Sequence, residues 1–310
     1  MSNINISVIV PTKNRQDELN KCLVSLFNQS VLPDEVLVVY GGEKPVLNFP
    51  QKNLSKIKLI KNQKGVMTHG KNLGLKKAKG EIIFIFDDDV VLDKDYLKET
   101  VKVFQSDSEK RVGVVAGSII NAPQKPLRFV ERIFLLWGRG CYRVLPSGAN
   151  VINTKNVRNT KEVDWASGCA MAIRYEVAQA FRVDEKYDLF GYGLGEDLDY
   201  SYRIGKKYKI IFNPRSRLIH LFSPRGRINS FLYGFIYVIN REYFVSKNMN
   251  SFYNFICFYW SAAGWFLENI AMVIKSPRRY LPMLFGGFWG LAYLLGRNLR
   301  RLFNIKNLRK

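Results

Sequence analysis

Cysteine and histidine are scarce in this chain of 310 residues, which has four widely separated cysteines and two histidines, His69 and His220. The cysteines form no C-x-x-C pair, so the sequence favours neither a structural zinc site nor a disulfide framework. A reducing, intracellular compartment is therefore the expected environment. The first residues run straight into a short apolar stretch without a basic segment or a cleavage site, which predicts no signal peptide.

Acidic residues are also few, with 26 Asp and Glu against 48 Lys and Arg and a formal net charge of +22. Such an excess predicts an anionic partner. From Leu221 to Lys310 there are 13 Lys and Arg and two acidic residues, interleaved with aromatic and aliphatic runs. This combination favours an anionic membrane surface and argues against nucleic acid as the partner.

The first 120 residues alternate strand and helix patterns, which predicts an α/β fold with a mainly parallel, Rossmann-like sheet flanked by helices. Short apolar runs predict strands at Ile6–Val10, Glu35–Tyr40, Ile57–Ile60, Glu81–Phe86 and Val112–Ala116. Helical spacing predicts helices at Asp17–Ser30, Thr68–Lys79, Lys94–Phe104 and Glu196–Gly205, and a short strand is expected at Lys209–Phe212. Ligands of such sheets bind beyond the carboxyl ends of the strands.

The C-terminal region changes character near residue 230, which predicts a catalytic domain at 1–230 and a helical, membrane-associating region at 231–310. Ser251–Leu267 and Tyr280–Gly296 are each 17 residues without a charge, the lower limit for a membrane span. Lys275, Arg278 and Arg279 between them disfavour a spanning hairpin. Two helices lying in the membrane interface are preferred. A hairpin, and burial in a homo-oligomer interface, stay open. Pro277 and Pro282 predict a break between the two segments.

The sharpest chemical signal is Asp87-Asp88-Asp89 directly after a predicted strand. Adjacent carboxylates repel one another unless a cation neutralises them. Carboxylates suit hard divalent ions such as Mg²⁺ or Mn²⁺, which bind through one or two carboxylates together with substrate phosphates. The alternative is a helix N-cap, for which Asp93 is better placed. We therefore predict a divalent metal site here.

Four motifs stand in order along the chain: Pro11-Thr12-Lys13-Asn14-Arg15, Lys71-Asn72-Leu73-Gly74, the Asp87–Asp89 triplet and Gly195-Glu196-Asp197-Leu198-Asp199. Together they resemble glycosyltransferase family 2 over roughly residues 5–245. The resemblance implies the GT-A fold, in which an Asp-x-Asp motif holds a metal and a nucleotide-sugar. It also implies transfer of a sugar from a nucleotide-sugar to a saccharide hydroxyl. The apolar patch at Ile133–Trp137 and the basic tail favour a lipid-linked acceptor, expected at the cytoplasmic face of the membrane.

The resemblance also implies a role for each matching residue. The nucleotide pocket would be lined by Pro11, Thr12, Asn14 and Arg15. Lys71 and Asn72 would lie near the base and ribose, and Asp87 and Asp88 would approach the sugar or ribose. Asp89 would bind the metal, with Asp87 and His220 as further ligands. Asp197 would be the catalytic base, and the acceptor side would comprise Trp165, Ser167, Gly168 and Glu196.

One departure from the family concerns the turn after the second strand, where an Asp-Asp-Gly-Ser type turn usually contacts the nucleobase. Here the turn reads Tyr40-Gly41-Gly42-Glu43, so Glu43 would have to substitute for the acid or Tyr40 would stack on the base. Uridine is the family expectation, and GDP- or dTDP-sugars stay open.

Two other function classes remain. A catalytically inactive, membrane-associated scaffold is compatible with the altered turn at Tyr40. A sugar nucleotidyltransferase would need a glycine-rich loop after the first strand, and Pro11–Asp17 contains no glycine.

Overall fold

The computed structural model describes residues 4–122 and 129–307. Its strands are β1 (Ile6–Thr12), β2 (Glu35–Tyr40), β3 (Ile57–Lys61), β4 (Ile82–Ile85), β5 (Val90–Leu92), β6 (Val112–Ile119), β7 (Arg143–Val144), β8 (Asn150–Val151), β9 (Lys161–Glu162), β10 (Met171–Arg174) and β11 (Lys209–His220). Its helices are α1 (Gln16–Phe27), α2 (Gln51–Leu54), α3 (Met67–Lys77), α4 (Tyr96–Gln105), α5 (Phe129–Ile133), α6 (Tyr175–Ala180), α7 (Glu196–Gly205), α8 (Ser230–Phe244), α9 (Phe252–Val273) and α10 (Pro277–Asn307). A 3₁₀ turn lies at Glu185–Asp188 and a π-helical turn at Val245–Met249.

The central sheet has the strand order β3-β2-β1-β4-β10-β6-β11-β5, and β9 pairs with β11. The four strands from β3 to β4 are parallel neighbours, and β6 is parallel to β11. Strand β10 lies antiparallel between β4 and β6, and β5 lies antiparallel to β11. The predicted α/β class, a mainly parallel sheet flanked by helices, is confirmed.

The register of the parallel strands brings their carboxyl ends to one edge. Ile9 of β1 pairs with Leu37 of β2 and with Ile85 of β4. Thr12 pairs with Tyr40, so both strands end together. The N–H of Phe86 donates to the carbonyl of Ile9, so the residues after β4 begin at the same edge. This is where the predicted nucleotide and metal residues are expected in an open α/β sheet.

Two predictions about secondary structure are wrong in extent. The strand predicted at Lys209–Phe212 is longer in the structure, where β11 runs for 12 residues from Lys209 to His220. Its pairing with β6 shifts in register between Asn213 and Arg217. Its Asn213-Pro214-Arg215 segment hides the continuation of the strand from a pattern search. In the C-terminal region Pro277 does start a new helix, but Pro282 lies inside α10 and causes no break there.

The core is built from the apolar faces that the periodicity predicts. In α1, Leu19, Cys22, Leu23 and Leu26 are fully buried against the sheet, and Phe27 packs at the margin of the core. Alternate residues of the central strands point to this side, among them Val8, Val10, Val36, Val38 and Phe84. All four cysteines are buried free thiols.

The chain divides into two compact units. The first comprises Met1–Pro126, Arg139–Arg143 and Asn150–Gly226, and contains the sheet. The second comprises Leu127–Gly138, Val144–Ala149 and Arg227–Lys310. The assignment of 1–230 as catalytic and 231–310 as membrane-associating stays a prediction.

The second unit is centred on α8, α9 and α10. Helices α8 and α10 approach at glycines: a Cβ atom on Gly286 would lie 1.9 Å from the carbonyl oxygen of Phe231, and one on Gly234 would lie 2.0 Å from that of Met283. An ion pair of 2.6 Å joins Arg297 to the buried Glu242. Among the described residues, no helix has both the length and the hydropathy required to cross a membrane.

Substitution of Gly74 tests the packing of α3 on β1. A Cβ atom there would lie 2.5 Å from Cγ2 of Ile9, which is fully buried. We expect Gly74→Ala to lower the free energy of unfolding by about 1–3 kcal/mol because a packed core must shift. The matched control is Gly70→Ala in the same helix, where the nearest atom is the side-chain nitrogen of Asn62 at 3.1 Å. Denaturant unfolding checks this, and equal effects of the two substitutions would contradict the close packing.

Candidate active site

The acidic triplet lies at the carboxyl edge of the sheet, where β4 turns into β5. The antiparallel register of β5 and β11 pairs Val90 with His220, so the histidine comes beside the triplet. Ligand atoms of Asp87, Asp89 and His220 all lie within 4.8 Å of one another. The Nε2 atom of His220 is 2.9 Å from Oδ1 of Asp89. The three residues predicted as metal ligands therefore form one cluster.

The carboxylate of Asp89 is held by several donors. The backbone N–H of Ser223 donates to its Oδ2 at 3.0 Å, and Nη1 of Arg15 lies 3.7 Å from the same oxygen. Burial acts to raise the pKa of Asp89, but the contacts with His220, Ser223 and Arg15 outweigh it and lower that pKa. Asp89 is therefore anionic at neutral pH although it is buried.

The cluster fits a small divalent cation. The three ligand atoms lie within 4.8 Å of one another, close enough for one ion to contact all of them. Two carboxylates and an imidazole are ligands that suit Mn²⁺, and Mg²⁺ also accepts the carboxylates. Several coordination positions would remain for water or phosphate oxygens.

Asp88 points away from this cluster. Oγ1 of Thr12 donates to its Oδ2 at 2.7 Å, and Nη1 of Arg15 donates to its Oδ1 at 3.0 Å. Burial raises the pKa of Asp88 to about 6, against the effect of these donors. Both oxygens are occupied by protein groups, so Asp88 positions Arg15. The predicted contact of Asp88 with the sugar or ribose stays a prediction.

Asp197 lies in the first turn of α7, which begins after Gly195 in a left-handed conformation (φ 85°). Its half-buried carboxylate accepts hydrogen bonds from the N–H groups of Gly168 and Leu198, each at 2.8 Å. A Cβ atom on Gly168 would lie 3.0 Å from Cβ of Asp197 and 2.7 Å from Nζ of Lys71. Glycine at 168 therefore allows this loop to approach the carboxylate closely.

A buried ion pair joins α3 to α7 beside Asp197. Nζ of Lys71 lies 2.9 Å from Oε1 of Glu196, and both side chains are almost fully buried. Burial alone would lower the pKa of Lys71, but the carboxylates of Glu196, Asp87 and Asp197 reverse the effect and raise it. A Cβ atom on Gly168 would lie close to both Lys71 and Asp197, so the ion pair and the predicted base are neighbours.

The strand pairing explains this neighbourhood. Strand β10 is antiparallel to β4, with Met171 opposite Ile85. The loop that enters β10 at Gly168 therefore lies beside the residues that leave β4 toward Asp87. A small cavity at this junction is lined by Lys71, Ile85, Gly168, Met171, Val183, Glu196, Asp197 and Tyr200.

Four further predicted site residues have partners within the protein. The side chain of Asn72 exchanges two 2.9 Å hydrogen bonds with the backbone of Val183, so it anchors that loop. Lys71 and Glu196 are paired with each other. Trp165 is only 1% exposed and packs edge-on against Tyr142. The ligand-binding roles predicted for these residues stay predictions. Ser167 is half-buried beside Cys169.

The predicted nucleotide residues lie along the ends of β1 and β2. Pro11 and Thr12 end β1, and Asn14 follows with a φ of 56° and accepts a 2.9 Å hydrogen bond from the N–H of Glu43. The ring of Tyr40 is half-buried, and Nζ of Lys61 lies 4.9 Å from its centroid. Asn14 thus connects the β1 loop to the altered turn after β2.

No pattern in the sequence predicts the contacts that the segment after β11 makes with the site. There the N–H of Ser223 binds Asp89, its hydroxyl donates to Oε1 of Glu18 at 2.7 Å, and the carbonyl of Arg225 accepts from Arg15. These are backbone and short polar contacts in an irregular segment, which leave no periodic signal. The Lys71–Glu196 pair was missed for another reason, since a lysine in a Lys-rich helix is usually solvated.

Comparison with known proteins agrees with this arrangement. The family model described as "Glycosyl transferase family 2" matches residues 7–178. A dolichyl N-acetyl-alpha-D-glucosaminyl phosphate 3-beta-D-2,3-diacetamido-2,3-dideoxy-beta-D-glucuronosyltransferase of Methanococcus voltae is 32% identical over 127 residues, 37% of this chain and 39% of that protein. A GalNAc(5)-diNAcBac-PP-undecaprenol beta-1,3-glucosyltransferase of Campylobacter jejuni is 39% identical over 90 residues, 27% of this chain and 29% of that protein. The matches thus span less than half of each relative.

Two solved structures share the fold. Mannosyltransferase PcManGT from Pyrobaculum calidifontis, in complex with GDP-Man and Mn²⁺, aligns over 94% of this chain and 88% of that chain with a TM-score of 0.51 and 16% identity. GalNAc-T7 with UDP, GalNAc and Mn²⁺ aligns over 89% of this chain and 59% of that chain with a TM-score of 0.56 and 17% identity. These likenesses establish the GT-A fold. Because the family model covers more than half of the sequence and the acidic triplet lies where the resemblance expects it, the chain belongs to glycosyl transferase family 2.

Proposed function

We propose that the protein is a metal-dependent, inverting glycosyltransferase. It moves a sugar from a nucleotide-sugar to a hydroxyl group of a saccharide or lipid-linked saccharide. The observation that carries this proposal is the strand pairing that brings Gly168, which donates to Asp197, beside the end of β4, from which the Asp87–Asp89–His220 cluster begins. One side offers ligands for a cation and its diphosphate, and the other offers a single carboxylate for the acceptor.

On the donor side, Asp87, Asp89 and His220 would hold the cation. A bound Mn²⁺ or Mg²⁺ supplies electrostatic stabilisation of the leaving nucleoside diphosphate. Arg15, which contacts Asp88 and Asp89, would add positive charge beside the cation and its diphosphate. The Mn²⁺ complexes of PcManGT and GalNAc-T7 support the choice of a divalent metal.

On the acceptor side, Asp197 would accept the proton of the attacking hydroxyl. General base catalysis of this kind contributes about 10²–10⁴-fold. The N–H groups of Gly168 and Leu198 hold the carboxylate in position by hydrogen bonds, and neither group carries a formal charge that would neutralise it. One base facing the leaving group across the sugar produces a single displacement, and a single displacement inverts the anomeric carbon.

The relatives and the charge of the chain support a lipid-linked acceptor. Two of the relatives are named for lipid-linked acceptors, a dolichyl phosphate and an undecaprenol diphosphate. The excess of basic and aromatic residues after residue 220 suits an anionic membrane surface. We therefore place the enzyme at the cytoplasmic face of a membrane as a peripheral protein, with the region after residue 230 in contact with lipid.

A non-catalytic scaffold is the second candidate, favoured by the altered turn at Tyr40. Titration of UDP, GDP and dTDP with and without Mn²⁺ separates the two candidates. Tight, metal-dependent binding of one nucleotide supports the transferase, and no binding of any of them supports the scaffold. A nucleotidyltransferase is disfavoured because Pro11–Asp17 contains no glycine.

Removal of a ligand tests the metal site. We expect Asp89→Ala to weaken Mn²⁺-dependent nucleotide binding at least tenfold, because a charged ligand of the cation is lost. Calorimetric titration of the nucleotide with and without Mn²⁺ measures this. Asp95→Ala, at a half-exposed carboxylate outside the cluster, is the control and should bind as the wild type does. Wild-type affinity of Asp89→Ala in Mn²⁺ would refute the assignment.

Removal of the proton acceptor tests the base. We expect Asp197→Asn to keep nucleotide binding but to lose about 10²–10⁴-fold in turnover, since the amide oxygen still accepts from Gly168 but takes up no proton. Nucleotide release under single-turnover conditions measures the loss. Asp164→Asn, a partly buried carboxylate paired with Arg143, serves as control. Unchanged turnover of Asp197→Asn would rule out its role as base.

The buried ion pair is tested by a double-mutant cycle. Lys71→Met leaves Glu196 buried without its partner, so we expect a loss of about 3–5 kcal/mol in the free energy of unfolding. Adding Glu196→Gln to Lys71→Met should recover part of this loss, because the uncompensated charge is removed. Denaturant unfolding of the two single variants and the double variant gives the coupling. Additive effects would show that the pair does not hold α3 to α7.

A further inference from the structure

Helix α9 presents an apolar stripe to solvent. Ile256, Trp260, Leu267, Ile270 and Ile274 recur at spacings of three, four or seven residues, so they lie on one side of the helix. Each is between 49% and 89% exposed. The opposite side of α9 is buried, with Cys257, Phe258, Ala262 and Trp265 among its members. The helix is therefore apolar on both sides. On the exposed side Trp260 stacks on Phe134 at 4.8 Å and donates to the carbonyl of Ile133, and the other four residues of the stripe are more than half exposed.

Helix α10 presents a second stripe. Leu281, Phe285, Phe288, Trp289 and Leu295 follow helical spacing and are between 45% and 67% exposed. The buried side of α10 includes Met283, Leu284 and Leu294, and the glycines that contact α8. The rings of Phe266 on α9 and Phe288 on α10 stack at 4.4 Å, so the two helices form one pair.

Basic residues border these stripes. Lys275, Arg278 and Arg279 lie at the junction of α9 and α10, and all three are exposed. Within α9 the only charged residue is Glu268, and no Lys or Arg interrupts either stripe before Arg297. The exposed surface of the pair is thus apolar along its length and positive at its turn.

We infer that the exposed stripes of α9 and α10 are a docking surface for an anionic lipid bilayer, with both helices lying in the plane of the interface. Exposed apolar stripes bordered by charged residues mark interaction sites. Helices that rest on a membrane combine apolar side chains, aromatic residues and basic residues in this way. The positive junction selects lipid over an uncharged partner, because Lys and Arg near the surface are attracted to anionic headgroups.

The inference deepens the proposed function, since a lipid-linked acceptor lies at the same surface to which α9 and α10 would bind. It names the residues that hold the enzyme there. It does not require activity, because the surface is defined by exposed side chains of the second unit alone.

The test is flotation of the full-length protein with vesicles, without substrate. Vesicles of phosphatidylcholine alone are compared with vesicles that also contain phosphatidylglycerol. The stripe variants are Ile270→Gln with Ile274→Gln, and Phe285→Gln with Trp289→Gln. The matched control is Val24→Gln with Val46→Gln, two exposed apolar residues of the first unit. A third variant neutralises Lys275, Arg278 and Arg279 to glutamine.

We expect the wild type and the control to float with the anionic vesicles. Each stripe variant should lose roughly tenfold or more in vesicle partitioning, because binding scales with buried apolar area. The charge variant should lose the preference for phosphatidylglycerol. Emission of Trp289, taken as the difference between the wild type and Trp289→Phe, should shift to the blue when vesicles are added. Circular dichroism confirms that the variants are folded.

Two results would overturn the inference. One is equal flotation of stripe variants and wild type. The other is a wild-type dimer in light scattering that the stripe variants dissociate, with no binding to vesicles, which would make a second copy the occupant. Failure of the proposed function is distinguishable from both, since it shows as absent nucleotide release while vesicle binding persists.

Discussion

The arrangement of the candidate site depends on one buried ammonium group. Lys71 is nearly inaccessible and stands among the carboxylates of Glu196, Asp197 and Asp87. Without a cation at this point, three carboxylates would repel one another in a setting of low dielectric constant, and the loops that carry them would separate. A divalent ion bound by Asp87, Asp89 and His220 would be a second positive charge. The negative charge of the site would then be neutralised partly by Lys71, which is part of the protein, and partly by an ion that exchanges with solvent.

The sheet determines which residues reach this point. Strands β1, β2 and β4 are parallel and end at one edge, which brings together residues that are more than seventy positions apart in sequence. The antiparallel strand β10 then places Gly168 next to β4, and the long strand β11 returns His220 to Asp89. The acidic triplet therefore follows a strand of the parallel half of the sheet, and Gly168 and His220 reach it through the antiparallel pairs β4–β10 and β5–β11.

Much of this was accessible from sequence because it rests on local pattern. The alternation of short apolar runs with amphipathic segments predicted most strands and helices of the first 120 residues to within a few positions but missed the short elements α2 and β5. The triplet after β4 pointed to the cluster of Asp87, Asp89 and His220. The pattern did not predict in which direction the side chains of a motif point. Asp88 turns toward Arg15, Asn72 toward Val183 and Trp165 into the core, because neighbours distant in sequence satisfy them. The role of Lys71 was hidden for the same reason, since only tertiary structure buries a lysine of a Lys-rich helix.

The central claim is that this site transfers a sugar with the help of a divalent cation and one carboxylate. The most direct measurement is a screen of UDP-, GDP- and dTDP-sugars with saccharide and lipid-linked acceptors, scored by nucleotide release and by the anomeric configuration of the product. We expect nucleotide release from one class of donor, only when Mn²⁺ or Mg²⁺ is present, and a product in which the configuration at the anomeric carbon of the transferred sugar is inverted. Release that is unaffected by chelation of the metal, or a product with retained configuration, would contradict it.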